Sequence, residues 1–274
     1  MHAAPDALQK RRLDCLELAC QAKEAGMRAV VMKSHHFGTA PLAYLVNQVV
    51  PGFTLIGSLV LNSAVGGLNP EAVEVALRTG ARVIWMPTYS SMADAERRRA
   101  NAAALPHAAT SGITLFDKDG RLLPQITSIL EAIKEANAIL GTGHISVPEV
   151  YALVAQTRRI GVKVTVTHPL NESYGSQLSL KQQLELASQG AVMEHCFLDC
   201  VAPYGRLASG VLVRHIKAVG AEHCLLCTDF GQYQNPTPLD GFRAMLANLL
   251  EAGLSEAELR TMVKTNPAHL LNLD

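Results

Sequence analysis

Neither sign of charge predominates in this chain: 24 lysines and arginines balance 24 aspartates and glutamates over 274 residues. Without a basic surplus there is no bulk attraction to a polyanion, so nucleic acid is not an expected partner. Long apolar runs are also missing. None approaches the roughly 18–20 residues that span a bilayer, which excludes a membrane-spanning role. The opening MHAAPDALQKRRLD is polar and has no apolar h-region, so the expected location is the cytoplasm. No signature recurs at a fixed period, which sets solenoids aside. Six cysteines are present: Cys15, Cys20, Cys196, Cys200, Cys224 and Cys227. In a chain with no export signal they read as free, partly buried thiols. Cys224 and Cys227 form a C-x-x-C, but inside the apolar run HCLLCTDF rather than at a helix start, which speaks against redox or zinc-knuckle use.

What the chain does have is a rhythm: helix, glycine, a residue or two, apolar strand, polar strand end. Gly26, Gly80, Gly161, Gly190 and Gly220 mark the beats. The first helix is expected over Arg11 to Ala25, and Asn69 with Pro70 and Ser255 with Glu258 carry helix-start signals. Alternation of this kind predicts a parallel sheet with helices outside it, and the length suits a single (β/α)8 barrel over residues 1–274. The rhythm breaks once. Residues 90–124 form a charged, alanine-rich stretch ending in an Asp119-Gly120 hairpin turn, read as an insertion or lid between strand 4 and helix 4. Its Arg97-Arg98-Arg99 run reads as a solvated helical face or as a site for an acidic substrate.

The polar residues collect at strand ends. AILGTGHIS and VKVTVTHP each close an apolar run with a histidine, His144 and His168, separated by one helix. In such a βαβ unit both strands are parallel, so both histidines emerge on the edge where barrel enzymes do their chemistry. Other predicted strand ends contribute Lys33, His35, His36, Asn62, Glu194, His195 and Asp229. Neutral imidazole with carboxylate suits a divalent metal: zinc foremost, with manganese, iron and cobalt served by the same ligands. Asp229 is then a ligand, a proton acceptor, or both. Adjacent strand residues point to opposite faces, so one of Glu194 and His195, and one of His35 and His36, is expected to look inward. Lys33 reads as a structural lysine, a carbamylated metal bridge or a cation for a substrate acid. His107, His215, His223 and His269 fall on loops or helices and stay outside the site.

The ordered set His144, His168, TDFG with Asp229, and the closing NPAHLLNL resembles the amidohydrolase superfamily. HAAPD and MKSHHF resemble, more narrowly, an uncharacterised amidohydrolase-related family. The resemblance implies a TIM-type barrel and a metal-dependent hydrolase that uses metal-activated water on a C–N, ester or lactone bond of a small molecule. It implies His2, His144, His168 and Asp229 as metal ligands, with Asp229 and His168 catalytic. The same scaffold also serves metal-dependent decarboxylases. Two departures stand out. The superfamily's opening His-x-His would place its second histidine at His2, leaving the first histidine and the whole first strand without a match. The strand ending Trp85-Met86-Pro87-Thr88 lacks the bridging lysine or glutamate of binuclear members, which favours one metal unless Lys33 or Glu194 supplies the bridge. A barrel short of a strand suggests two further expectations, a homo-oligomer covering an open edge and, as an alternative function, a barrel that binds without catalysing.

Overall fold

In the computed structural model, which describes residues 1–100 and 112–273, helices and strands alternate as the glycine rhythm predicts. The strands are β1 (Ala29–Val31), β2 (Thr54–Val60), β3 (Ala81–Trp85), β4 (Ile139–Gly141), β5 (Lys163–Thr167), β6 (Val192–Cys196) and β7 (Cys224–Cys227). Helix α1 (Cys15–Glu24) precedes β1, and between the strands run α2 (Ala40–Val49), α3 (Pro70–Arg78), α4 (Met92–Ala100), α5 (Pro124–Glu135), α6 (Val147–Ile160), α7 (Leu180–Ser188) and α8 (Ser209–Val219). Helices α9 (Pro238–Glu251), α10 (Glu256–Arg260) and α11 (Asn266–Leu271) close the chain. Every strand is parallel to its neighbour and pairs in sequence order, giving one seven-stranded sheet curled into a barrel with helices outside. No helix among the described residues is long and apolar enough to cross a membrane.

Local chemistry sets the element ends. Asn69 caps α3 by accepting from Glu71 and Ala72 ahead of Pro70, and Ser255 with Glu258 forms the capping box of α10. The first helix begins four residues later than the sequence reading places it, because Asp14 and Glu17 form a capping box there. In the insertion, Asp117 N donates to Arg121 O across the Asp119-Gly120 turn, as expected of a hairpin. His107 and the middle of the insertion lie outside the described residues.

Two apolar layers hold the sheet. Outside it, Ile84, Ile126, Ile129, Leu130, Leu140, Leu153 and Val154 are buried between helices and strands. Inside, Val60, Val83, Trp85 and Ile139 meet Leu270 of α11, which plugs the barrel floor. Gly141 is fixed by this interior, since a Cβ there would collide with the Trp85 indole. Ile129 is fully buried in the outer layer. Removing one methyl in Ile129→Val is expected to cost about 0.5–1.5 kcal/mol of unfolding free energy, read from the midpoint of a urea titration.

The barrel is not closed by a strand pair between β1 and β7. At the upper end Met1 and His2 bridge the two: the Met1 amine donates to Val31 O at 3.0 Å, Lys33 N donates to Met1 O at 2.9 Å, and His2 N donates to Phe230 O at 2.8 Å. Below this bridge the interior opens as a cavity of about 730 Å³, lined by Val31, Trp85, Thr167, Glu194 and Cys227 among others.

Candidate active site

The seven strands deliver their C-terminal ends to one edge, and there the histidines meet Asp229. Asp229 follows β7 by two residues and His168 follows β5 directly. Both hold left-handed backbone, with φ 56° and 51°. Such a conformation costs an ordinary residue roughly 1–3 kcal/mol and persists where the surroundings enforce it, commonly at functional sites.

Asp229 lies between two imidazoles and a lysine. His2 Nε2 donates to Oδ1 at 3.0 Å, His168 Nε2 stands 3.5 Å from Oδ2, and Lys33 Nζ is 4.0 Å from Oδ1. Burial pushes the Asp229 carboxyl up, but Lys33, His2 and His168 outweigh it and hold the group well below the usual carboxylate range. His168 is backed by a second carboxylate: its Nδ1 donates to Asp199 Oδ1 at 2.9 Å. The same oxygen also accepts from Asn171 Nδ2 at 2.9 Å and Tyr174 OH at 3.3 Å. Burial alone would lower the His168 pKa, yet Asp199 and Asp229 raise it to about 10.

His144 repeats the arrangement at the end of β4. Its Nδ1 donates to Asp94 Oδ1 at 3.3 Å, and Arg98 Nε donates to Asp94 Oδ2 at 2.6 Å. Burial lowers the His144 pKa to about 4 and that of His2 to about 3, so both rings are neutral at physiological pH. His35 stacks between His2, with ring centroids 4.7 Å apart, and Tyr89 at 4.1 Å, and shares a 2.9 Å hydrogen bond with Thr88 Oγ1. Asn62, at the end of β2, braces this corner by donating to His35 O and Thr88 Oγ1 while accepting from Thr88 N. Of these residues His2, His35, Asn62, Tyr89, His144, Tyr174, Arg98 and Asp229 wall a cavity of about 260 Å³ that also touches Gln9 and His36, with His168 behind its wall.

Several expectations change against this geometry. His35 and His36 both line the cavity rather than facing opposite ways, because β1 ends at Val31 and strand alternation does not extend to them. Neither Glu194 nor His195 lines it. Glu194 turns into the barrel interior, where Thr167 Oγ1 donates to it at 3.0 Å, while His195 is buried on the opposite face, where burial, and then His215, lowers its pKa to about 3. Arg97 and Arg98 are not a free basic face: Arg97 donates to His144 O and Tyr174 O, and Arg98 is paired to Asp94. Cys224 packs in the outer core and Cys227 faces the interior, so the C-x-x-C does not close on itself.

Sequence reasoning missed Asp94 and Asp199. Asp94 lies in the first turn of α4 and Asp199 three residues past β6, and only the fold shows that each meets an imidazole Nδ1. A hydrogen-bonded Nδ1 fixes the tautomer and leaves Nε2 for a ligand or proton, the arrangement found around metal-binding histidines. The donor chemistry fits a divalent ion: two imidazole Nε2 atoms face the two oxygens of one carboxylate, and buried His168 Nε2 has no hydrogen-bond partner.

Solved structures share this architecture. An organophosphorus hydrolase from Deinococcus radiodurans is 15% identical, with a TM-score of 0.63 over 94% of this chain and 82% of its own. An amidohydrolase from Pseudomonas aeruginosa is 13% identical, with a TM-score of 0.56 over 93% of this chain and 82% of its own. A 2,6-dihydroxybenzoate decarboxylase, in complex with 2,6-dihydroxybenzoate, is 11% identical, with a TM-score of 0.56 over 96% of this chain and 89% of its own. At such identities the likeness establishes the α/β barrel, and the neighbours named are enzymes of more than one reaction type. No curated protein sequence matches the chain. One family model does, over residues 1–194, and the chain belongs to that family, the family of unknown function DUF6282.

Proposed function

We propose that this protein is a metal-dependent hydrolase acting on a C–N, ester or lactone bond of a small molecule. The observation that carries the reading is Asp229, ionised and left-handed, facing His2 and His168 at the catalytic edge of a parallel barrel. His2, His168 and Asp229 would hold the ion, zinc foremost, with His144 on the adjoining wall, its ring 5.6 Å from that of His168. A divalent ion bound there supplies Lewis-acid polarisation of the scissile group and of the attacking water.

The chain's own residues do the rest. Asp199 holds the Nδ1 proton of His168 and so aims Nε2 at Asp229. Asp229 takes the proton of the attacking water on a carboxylate oxygen, a role for which its ionised state prepares it. Lys33 keeps that carboxylate charged, and its own Nζ is steadied 4.8 Å over the Trp85 ring. Because Glu194 is turned away and Trp85 to Thr88 offer no bridging ligand, the site suits one ion.

The test pairs elemental analysis with a panel holding a cyclic amide, an aliphatic lactone and an aryl phosphotriester. Wild-type protein is expected to retain a transition metal that His168→Ala loses, and to hydrolyse at least one panel member faster than the free metal does. Equal metal content in both proteins with no turnover would leave a binding barrel. Carbon dioxide release from 2,6-dihydroxybenzoate without hydrolysis would move the reaction to the lyases. Asp199→Asn, which keeps the size of the side chain and removes its charge, is expected to weaken metal affinity or activity about 10–100-fold, measured by competition with a chelator.

A further inference from the structure

A second group of ligand-type atoms lies in the barrel interior, on the cavity of about 730 Å³ that Lys33 and Asp229 border from the strand ends. Cys196 and Cys227 are register partners on β6 and β7, and their sulfurs stand 3.3 Å apart. Cys227 Sγ is 3.8 Å from Glu194 Oε1. These three side chains are the one set of three or more His, Cys, Asp or Glu ligands among the described residues whose donor atoms all fall within 4.8 Å of one another. The histidines around Asp229 do not converge that closely.

We infer that Glu194, Cys196 and Cys227 form a thiolate site for a soft or borderline divalent ion of the zinc class, distinct from the site at Asp229. Its placement follows from strand periodicity: Glu194 and Cys196 are two apart on β6 and share the inward face, and register brings Cys227 beside them. The carboxylate is already oriented, since Thr165 and Thr167 hydroxyls donate to Oε2 and leave Oε1 toward the sulfurs. None of the ion pairs among the described residues involves Glu194. Zinc–sulfur bonds of about 2.3 Å and zinc–oxygen bonds of about 2.0–2.2 Å in a tetrahedron need sulfurs roughly 3.8 Å apart and sulfur–oxygen pairs roughly 3.5–3.7 Å apart, so the Cys227–Glu194 pair at 3.8 Å is close to that spacing and the two sulfurs at 3.3 Å would part by about half an ångström.

Charge and access agree with this assignment. Two thiols give up their protons to solvent as the ion binds, so the step is an exchange of two protons for one divalent ion and needs no oxidant. The fourth position faces the 730 Å³ cavity between β1 and β7, so the ion has a path in and room for a water or a small ligand.

Cobalt substitution separates the two sites, because only sulfur ligation gives a thiolate-to-cobalt charge-transfer band. The full-length reduced protein titrated with Co²⁺ is expected to show that band, to keep it in Asp229→Asn, and to lose it in Cys196→Ser and Cys227→Ser. Glu194→Gln, which spares both sulfurs, is expected to retain the band but require more than tenfold higher cobalt. Zinc is also expected to protect Cys196 and Cys227 from alkylation while exposed Cys20 reacts at its usual rate. Absence of the band in folded wild-type protein, a band that survives both serine variants, or alkylation of Cys196 and Cys227 unaffected by zinc overturns the assignment. So does the mass signature of a Cys196–Cys227 disulfide in protein isolated without reductant.

Discussion

Asp229→Asn is expected to reduce kcat/KM on whichever substrate the panel identifies by about 10²–10⁴-fold, the range spanned by removal of a positioned acid or base. The substitution keeps the shape of the side chain and its place after β7, and removes the one charge that His2, His168 and Lys33 all face. Far-UV circular dichroism checks that the barrel is intact, and elemental analysis checks the metal. Loss of turnover with the metal retained makes Asp229 chiefly the proton acceptor. Loss of turnover together with one equivalent of metal, counted beside any metal held at Cys196 and Cys227, makes it a ligand as well. Turnover within a few-fold of wild type would place the reacting group elsewhere in the cavity and remove the central argument for hydrolysis at this edge.

Gly231→Ala is expected to lower unfolding free energy by about 2–6 kcal/mol, summing backbone strain of about 1–3 and overpacking of about 1–3. Gly231 has φ 151°, and a Cβ there would collide with the carbonyl and the Cβ of His2. Its own carbonyl accepts from Arg12 N at 2.9 Å, so the backbone is held from the other side and has little room to retreat. Gly253→Ala serves as the control: φ is 106° but the added Cβ meets nothing within 4 Å, which leaves strain alone. The difference between the two urea midpoints isolates the contact with His2. Because His2 carries Nε2 to Asp229, Gly231→Ala is also expected to lose activity while Gly253→Ala keeps it. Equal destabilisation of the two variants would show that the bridge made by Met1 and His2 contributes no stability.

The parallel barrel was legible because its signals are local. Glycine after helix, proline after asparagine at Asn69, and the Ser255 capping box act over a few residues, and the structure places helix and strand ends where they indicate. His144 and His168 were legible for a similar reason, since each ends an apolar run. What escaped depends on contacts across the chain. Asp94 reaches His144 from 50 positions away and Asp199 reaches His168 from 31. Neither acid carries a local mark that sets it apart from a surface carboxylate. The alternation rule that separated His35 from His36 failed because it belongs to strands, and β1 has ended four residues earlier. Applied within β6 the same rule held, turning Glu194 and His195 to opposite faces, but neither lines the cavity at the strand ends. The pairing of Cys196 with Cys227 needed the register of two strands, which no composition or spacing supplies.

The order of the sheet also bears on how the protein is made. Each strand pairs with the one before it, so contacts accumulate between neighbours in sequence and little loop entropy is lost at any step. A chain emerging from the ribosome can assemble its β/α units in turn. Contacts of the first dozen residues with the stretch after β7 are an exception, those of His2 with Phe230 and Asp229 spanning more than four-fifths of the polypeptide. They form only after β7 has been synthesised and has docked. Assembly of the His2–Asp229 pair is thus among the last events of folding, and whatever chemistry depends on that pair waits for β7.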